Sequence, residues 1–123
     1  MLAWEGARGV RVDVTVLDAA AMRRLNRRAT GRRRLTDVLA YTLPLAEGEV
    51  IGDVYVCPAA ATRWLAAAGR TSRGALREEM VRLAVHGTLH VLGYDHPEGP
   101  DRVRSAMWRR QERYVRRLLG GIS

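Results

Sequence analysis

Residues 81–92, VRLAVHGTLHVL, are apolar nearly all round a helical wheel, and no other stretch constrains the fold as much. A helix without a polar face has to be surrounded, so it runs through the centre and the rest of the chain packs around it. Ser72 or Thr71 can cap its start near Arg73, its early turns are amphipathic through Leu76, Met80 and Leu83, and it ends near Leu92. A chain of 123 residues has room for one such core but not two, so residues 1–123 read as a single small domain.

Shorter patterns give the elements around it. Val10, Val12, Val14 and Val16 alternate with Arg11, Asp13 and Thr15, the period of a half-buried strand. Asp18 then stands at an N-cap position, and Leu17, Ala21, Met22 and Leu25 make one helical stripe. Val38 to Thr42 and Val50 to Val56 read as strands, separated by the loop LPLAEGE. Pro58 suits the first turn of a helix whose inward face is Trp64, Leu65 and Ala68, and Gly69 ends it. A last helix from about Asp101 to Leu119 turns Val103, Met107, Tyr114 and Leu118 to one side, and Gly120 and Gly121 stop it. The class expected is α/β (α+β): a mixed β-sheet of three to four strands covered by helices.

All three histidines of the chain fall inside HGTLHVLGYDH. His86 and His90 are four residues apart on the central helix, so both rings leave one face about a turn apart. Gly93 can take the left-handed conformation that closes a helix, and the reversal would bring His96 back to the other two. Three neutral imidazoles suit one Zn²⁺ per chain, and they leave a fourth position for water. The spacing H-x-x-x-H-x-x-G-x-x-H is the metzincin protease ligand pattern with one change. Gly87 occupies the position of the protease glutamate, so the base for peptide hydrolysis is missing, and a phosphodiester is the better substrate. Asp95 reads equally as an outer acceptor for a ligand N–H or as a turn residue capping its own backbone.

The formal charge of +8 points to a polyanion, and all 21 basic residues are Arg. Arg23, Arg24, Arg27 and Arg28 divide evenly between a solvated helix face and a binding wall. The loop residues Arg32, Arg33 and Arg34 are the better candidates for touching such a polyanion, and the cluster from Arg102 to Arg117 reads mostly as a solvated face. Aromatic residues are only 6% and Phe is absent, which argues against a broad base-stacking platform. No apolar run is long enough to span a bilayer, and the first ten residues do not read as a secretory signal. The single cysteine, Cys57, suggests a core thiol in a reducing cytoplasm.

HGTLHVLGYDH resembles the signature of the YbeY family, bacterial metal-dependent endoribonucleases of ribosomal RNA maturation and ribosome quality control. LNRRATGRRRLTDVLAY resembles the stretch that leads to the family's T-D-V-L-S-F, here Thr36 to Tyr41, and Gly52 to Cys57 resemble the G-D-I-x-I strand that follows. The resemblance implies zinc held by His86, His90 and His96, a single-stranded RNA substrate, action at the 3′ end of small-subunit ribosomal RNA, and contact with ribosomal proteins of the small subunit. The family usually carries an activity-linked Arg just before the glycine of the basic loop, and here that residue is Thr30. Arg32 is then the candidate catalytic cation, with Arg33 and Arg34 beside it. The other reading of such a chain is a non-catalytic, metal-stabilised ribosome-assembly factor that binds RNA or a ribosomal protein.

Overall fold

The computed structural model describes residues 1–31, 35–97 and 99–120, and the backbone alone of Arg73. Strand β1 (Val10–Val16) is followed by α1 (Ala19–Thr30), β2 (Val38–Pro44) and β3 (Val50–Val56). Helices α2 (Pro58–Ala67), α3 (Arg73–Val91) and α4 (Ala106–Gly120) come after, and single 3₁₀ turns lie at Leu2–Glu5, Ala46–Gly48 and Gly99–Arg104. Both caps expected from the sequence form. The Asp18 carboxylate accepts from the Ala21 N–H at 2.8 Å, and the Ser72 hydroxyl oxygen accepts from the Ala75 N–H at 3.1 Å.

The sheet has three strands in the order β1-β3-β2. Central β3 runs parallel to β1, with Val10 opposite Val50, and antiparallel to β2, with Val38 opposite Val56. Helix α3 lies against β3 at backbone distance, because a glycine meets a valine at two points. A Cβ on Gly87 would sit 2.4 Å from Val54 Cγ1, and a Cβ on Gly52 would sit 2.4 Å from Val91 Cγ1. No real side-chain carbon fits there.

The buried helix separates two apolar clusters, as its all-round pattern requires. Val54, Val56, Ala61, Leu83 and Val91 fill the space between sheet, α2 and α3. Val85, Leu89, Met107, Tyr114 and Val115 join α3 to α4. Cys57 is fully buried.

Three expectations need correction. Trp64 does not face inward: it is 53% exposed, and α2 buries Ala61 and Leu65 one turn apart instead. The last helix starts at Ala106 rather than near Asp101, since residues 99–104 wind as a 3₁₀ turn with Val103 exposed. Its buried face is Met107, Gln111, Tyr114 and Val115, and Leu118 lies outside it. On β1 the alternation is present but half used: Val14 and Val16 stay exposed, because α3 barely reaches that strand. No described helix is long and apolar enough to cross a membrane.

Candidate metal centre

His86 and His90 stand one turn apart on α3, and the chain reverses directly after it. Gly93 takes φ +97°, its N–H bonds the His90 carbonyl at 3.0 Å, and the Tyr94 N–H bonds the Leu89 carbonyl at 3.0 Å. This pair of bonds is the helix-closing arrangement that a left-handed glycine permits. The reversal carries His96 to within 3.3 Å of His86, Nε2 to Nε2, while His90 Nε2 lies 3.1 Å from the same atom. The candidate ligand atoms of the three side chains all lie within 4.8 Å of one another.

The other ring nitrogens decide what those Nε2 atoms carry. His90 Nδ1 lies 3.0 Å from the Tyr94 carbonyl oxygen, and His96 Nδ1 lies 3.0 Å from that of Pro97. A carbonyl can only accept, so both Nδ1 atoms hold the proton. His86 Nδ1 meets Gln111 Oε1 at 2.6 Å, and that amide is oriented by its own Nε2, which donates to Glu112 at 3.2 Å. Each Nε2 therefore presents a lone pair to the other two. Burial pushes the His86 pKa down to about 4, the Gln111 bond opposing it and the neighbouring His90, His96 and Arg102 adding to it; burial lowers His90 as well. Protonation of the shared His86 is therefore disfavoured at neutral pH. A cation relieves the converging lone pairs, and metal–nitrogen bonds of about 2.0–2.1 Å at tetrahedral angles put the nitrogens about 3.3 Å apart. The three side chains could hold a metal ion.

A chain of polar contacts backs this centre. Glu112 accepts from Arg82 Nε at 2.9 Å, and Arg82 also donates to Glu79 at 2.7 Å and to Glu78 at 2.8 Å. Burial raises the Glu112 carboxyl, but the Arg82 and Gln111 hydrogen bonds outweigh it and hold the group ionised. On the other side Glu5 accepts from Tyr94, Tyr114 and Arg110, tying the first residues to the loop whose carbonyl orients His90. A cleft of about 180 Å³ opens beside His86, lined among others by Asp37, Trp64, Arg102, Trp108 and Gln111. Burial pushes the Asp37 carboxyl up; its own backbone N–H and Arg102 oppose that, and Glu79 adds to it.

Residues 3–119 match the profile of a family described as endoribonuclease YbeY. The chain belongs to the YbeY family. A family member from Thermotoga maritima, named endoribonuclease YbeY, is 34% identical over 111 residues, covering 90% of this chain and 69% of its own. Another YbeY endoribonuclease, from Micrococcus luteus, is 40% identical over 115 residues, with 87% and 69% covered. The solution structure of a Thermotoga maritima protein matches this fold with a TM-score of 0.62 at 33% identity, over 91% of this chain and 70% of that one.

Of the residues singled out in the sequence, the structure brings His86, His90 and His96 together. Gly87, which in the proteases would be the base, turns its Cβ position toward Val54 and the sheet, away from any role at the metal. Asp95 takes the turn role, its carboxylate accepting from the His96 backbone N–H at 2.8 Å. Thr30, in place of the YbeY arginine, donates its hydroxyl to the Asn26 carbonyl at 2.8 Å. Arg32, Arg33 and Arg34 lie outside the described residues, and Arg23, Arg24, Arg27 and Arg28 are exposed on α1. The cluster from Arg102 to Arg117 is mostly a solvated face, as its sequence suggested, with Arg102, Arg104, Arg109, Arg113, Arg116 and Arg117 exposed and Arg110 half-buried. Arg110 pairs with Glu5 at 3.0 Å, and Arg117 lies 3.8 Å over the Trp4 ring.

Three cleft residues had no place in the sequence reading. Gln111 could have been found: it interrupts the stripe of Met107, Tyr114 and Val115, and a polar residue on an apolar stripe needs a buried partner. Asp37 stood within a matched motif without a role. Trp108 carried no local signal at all.

Proposed function

We propose that this YbeY-family chain is a zinc-dependent endoribonuclease that cuts single-stranded RNA, working as one domain in the cytoplasm. Its place would be maturation of the 3′ end of small-subunit ribosomal RNA and ribosome quality control, beside ribosomal proteins of the small subunit. The observation that carries the reading is the convergence of three Nε2 lone pairs, each fixed by an Nδ1–H bonded elsewhere. His86, His90 and His96 would hold the ion, which when bound supplies Lewis acidity toward a non-bridging phosphate oxygen and offsets the charge that grows as phosphorus is attacked.

The chain's own residues supply the rest. Gln111 and the carbonyls of Tyr94 and Pro97 keep each ring in one tautomer and one orientation. Asp37 borders the cleft beside His86, burial raises its carboxyl and so favours the protonated form, and it is our candidate for moving a proton to or from the reacting strand.

A second reading, a ribosome-assembly factor held together by its metal, is favoured by one observation. Thr30 turns its hydroxyl back onto α1 where the family places a cation. Elemental analysis and RNA cleavage by the wild type and His90→Ala separate the two. About one zinc per chain and cleavage by the wild type, both lost in His90→Ala, support the nuclease. Metal at full occupancy with salt-dependent RNA binding and no cleavage selects the assembly factor.

A further inference from the structure

Trp64 is a large apolar side chain more than half in water, yet its position is not arbitrary. It lines the cleft that reaches His86, and it also lines a second hollow with Leu35, Thr36, Ala60 and Arg63. Asp37 borders both hollows as well. The two depressions adjoin at these two shared wall residues, so a strand crossing Trp64 would pass from the hollow at Leu35 and Thr36 to the cleft at His86. Trp108 lines the same cleft, with the Arg102 guanidinium 5.4 Å from its ring centre.

The charges in the cleft say which part of a nucleotide fits. Glu79 and Glu112 are both bonded to Arg82, so these three leave little net pull on a phosphate. What remains on the cleft wall is the Trp64 and Trp108 indoles, the Arg70 and Arg102 guanidiniums and the Asp37 carboxyl. Flat surfaces stack a base, and carboxylates accept from its amino groups. At about 180 Å³ the cleft is below the roughly 300–1,000 Å³ of pockets for drug-sized ligands, and it suits a single ring system better than a peptide helix.

We propose that this cleft is a nucleobase subsite: one base of a single-stranded RNA stacks on Trp64, with Trp108 and Arg102 on the inner wall, beside the phosphate that reaches the histidines. The identity of the strand rests on the endoribonuclease reading; the stacking does not. Stacking on one exposed indole also agrees with the low aromatic content, which excluded only a broad platform.

The test is equilibrium binding, by fluorescence anisotropy, of a short labelled single-stranded RNA and of the same strand with one abasic nucleotide moved along it. Wild type, Trp64→Ala and Trp64→Phe are compared. Trp64 is exposed, so an unchanged melting temperature is expected to show that both variants fold. Trp64→Ala should weaken binding roughly 5- to 100-fold, and Trp64→Phe should restore most of it. In the wild type one abasic position should weaken binding by a similar factor, and in Trp64→Ala that position should cease to matter. Equal binding by wild type and Trp64→Ala, or an abasic penalty that persists without the indole, overturns the subsite. Trp64-dependent binding by a protein that never cleaves RNA would keep the subsite and remove the nuclease. Cleavage with binding indifferent to Trp64 would do the reverse, and no binding to any RNA would remove both.

Discussion

The two faces of α3 are held by different physics. Toward the sheet, contact is by shape alone: Gly87 against Val54 and Val91 against Gly52 bring helix and strand together with no room for an added carbon. Toward α4, the apolar contacts of Val85 and Leu89 are joined by a directed chain of hydrogen bonds from His86 through Gln111 and Glu112 to Arg82. The first face fixes where the helix lies. The second fixes which way an imidazole points. Shape tolerates no enlargement, whereas a hydrogen-bond chain tolerates any group that accepts and donates in the same places.

The largest effect should come from enlarging the sheet face. In an exposed helix, Gly→Ala gains up to about 1 kcal/mol from propensity alone. At Gly87 the new methyl would lie 2.4 Å from one methyl of Val54 and 3.1 Å from the other, and overpacking of that kind costs about 1–3 kcal/mol or more. Gly87→Ala should therefore destabilise, while Gly74→Ala on the same helix, with nothing closer than Ser72 Oγ at 4.0 Å, should be neutral or slightly stabilising. Urea titration of both variants checks the signs. Equal stabilities would mean that α3 is not seated on β3 as described.

The polar face should lose aim rather than stability. Gln111 is 1% exposed and the acceptor for His86 Nδ1–H. Gln111→Leu keeps the volume and removes the acceptor, so His86 is free to change tautomer, and metal affinity should fall about 10–100-fold. Gln111→Glu retains an acceptor at the same place and should hold metal far better than the leucine variant. Competition against a chelator measures both affinities, and nitrogen chemical shifts of His86 in metal-free protein report the tautomer directly. Equal affinities in wild type and Gln111→Leu would show that the hydrogen bond does not orient the ligand.

The same contrast explains how far the sequence could be read. Local devices were legible: the valine alternation of β1, the caps at Asp18 and Ser72, and the glycine reversal at Gly93 depend on neighbours within a few residues. So was the gathering of the histidines, because His86, His90 and His96 need only one helix turn and one loop. The seat of Gly87 on Val54 and the bond from His86 to Gln111 join residues more than twenty positions apart, and periodicity carries no such information. Trp64 misled because hydrophobicity argues for burial, while α2 is short enough that Ala61 and Leu65 alone seat it. The YbeY resemblance reached the three histidines but not these neighbours of His86.

The smallest effect tests whether the polar side is kept for use rather than for stability. Asp37, beside the same cleft, has a carboxyl raised by burial, opposed by its own N–H and by Arg102 and reinforced by Glu79. A carboxyl whose pKa is higher folded than unfolded holds its proton more tightly in the folded state. Its ionisation therefore withdraws stability as pH rises from the unfolded value through the higher folded one. Asparagine keeps the size and cannot ionise. Asp37→Asn should raise the melting temperature slightly at about pH 7, lose that advantage on acidification to about pH 3, and lower RNA cleavage at every pH. A variant that is less stable at neutral pH would place Asp37 with the stabilising contacts of the fold, and one that cleaves like the wild type would remove it from proton transfer.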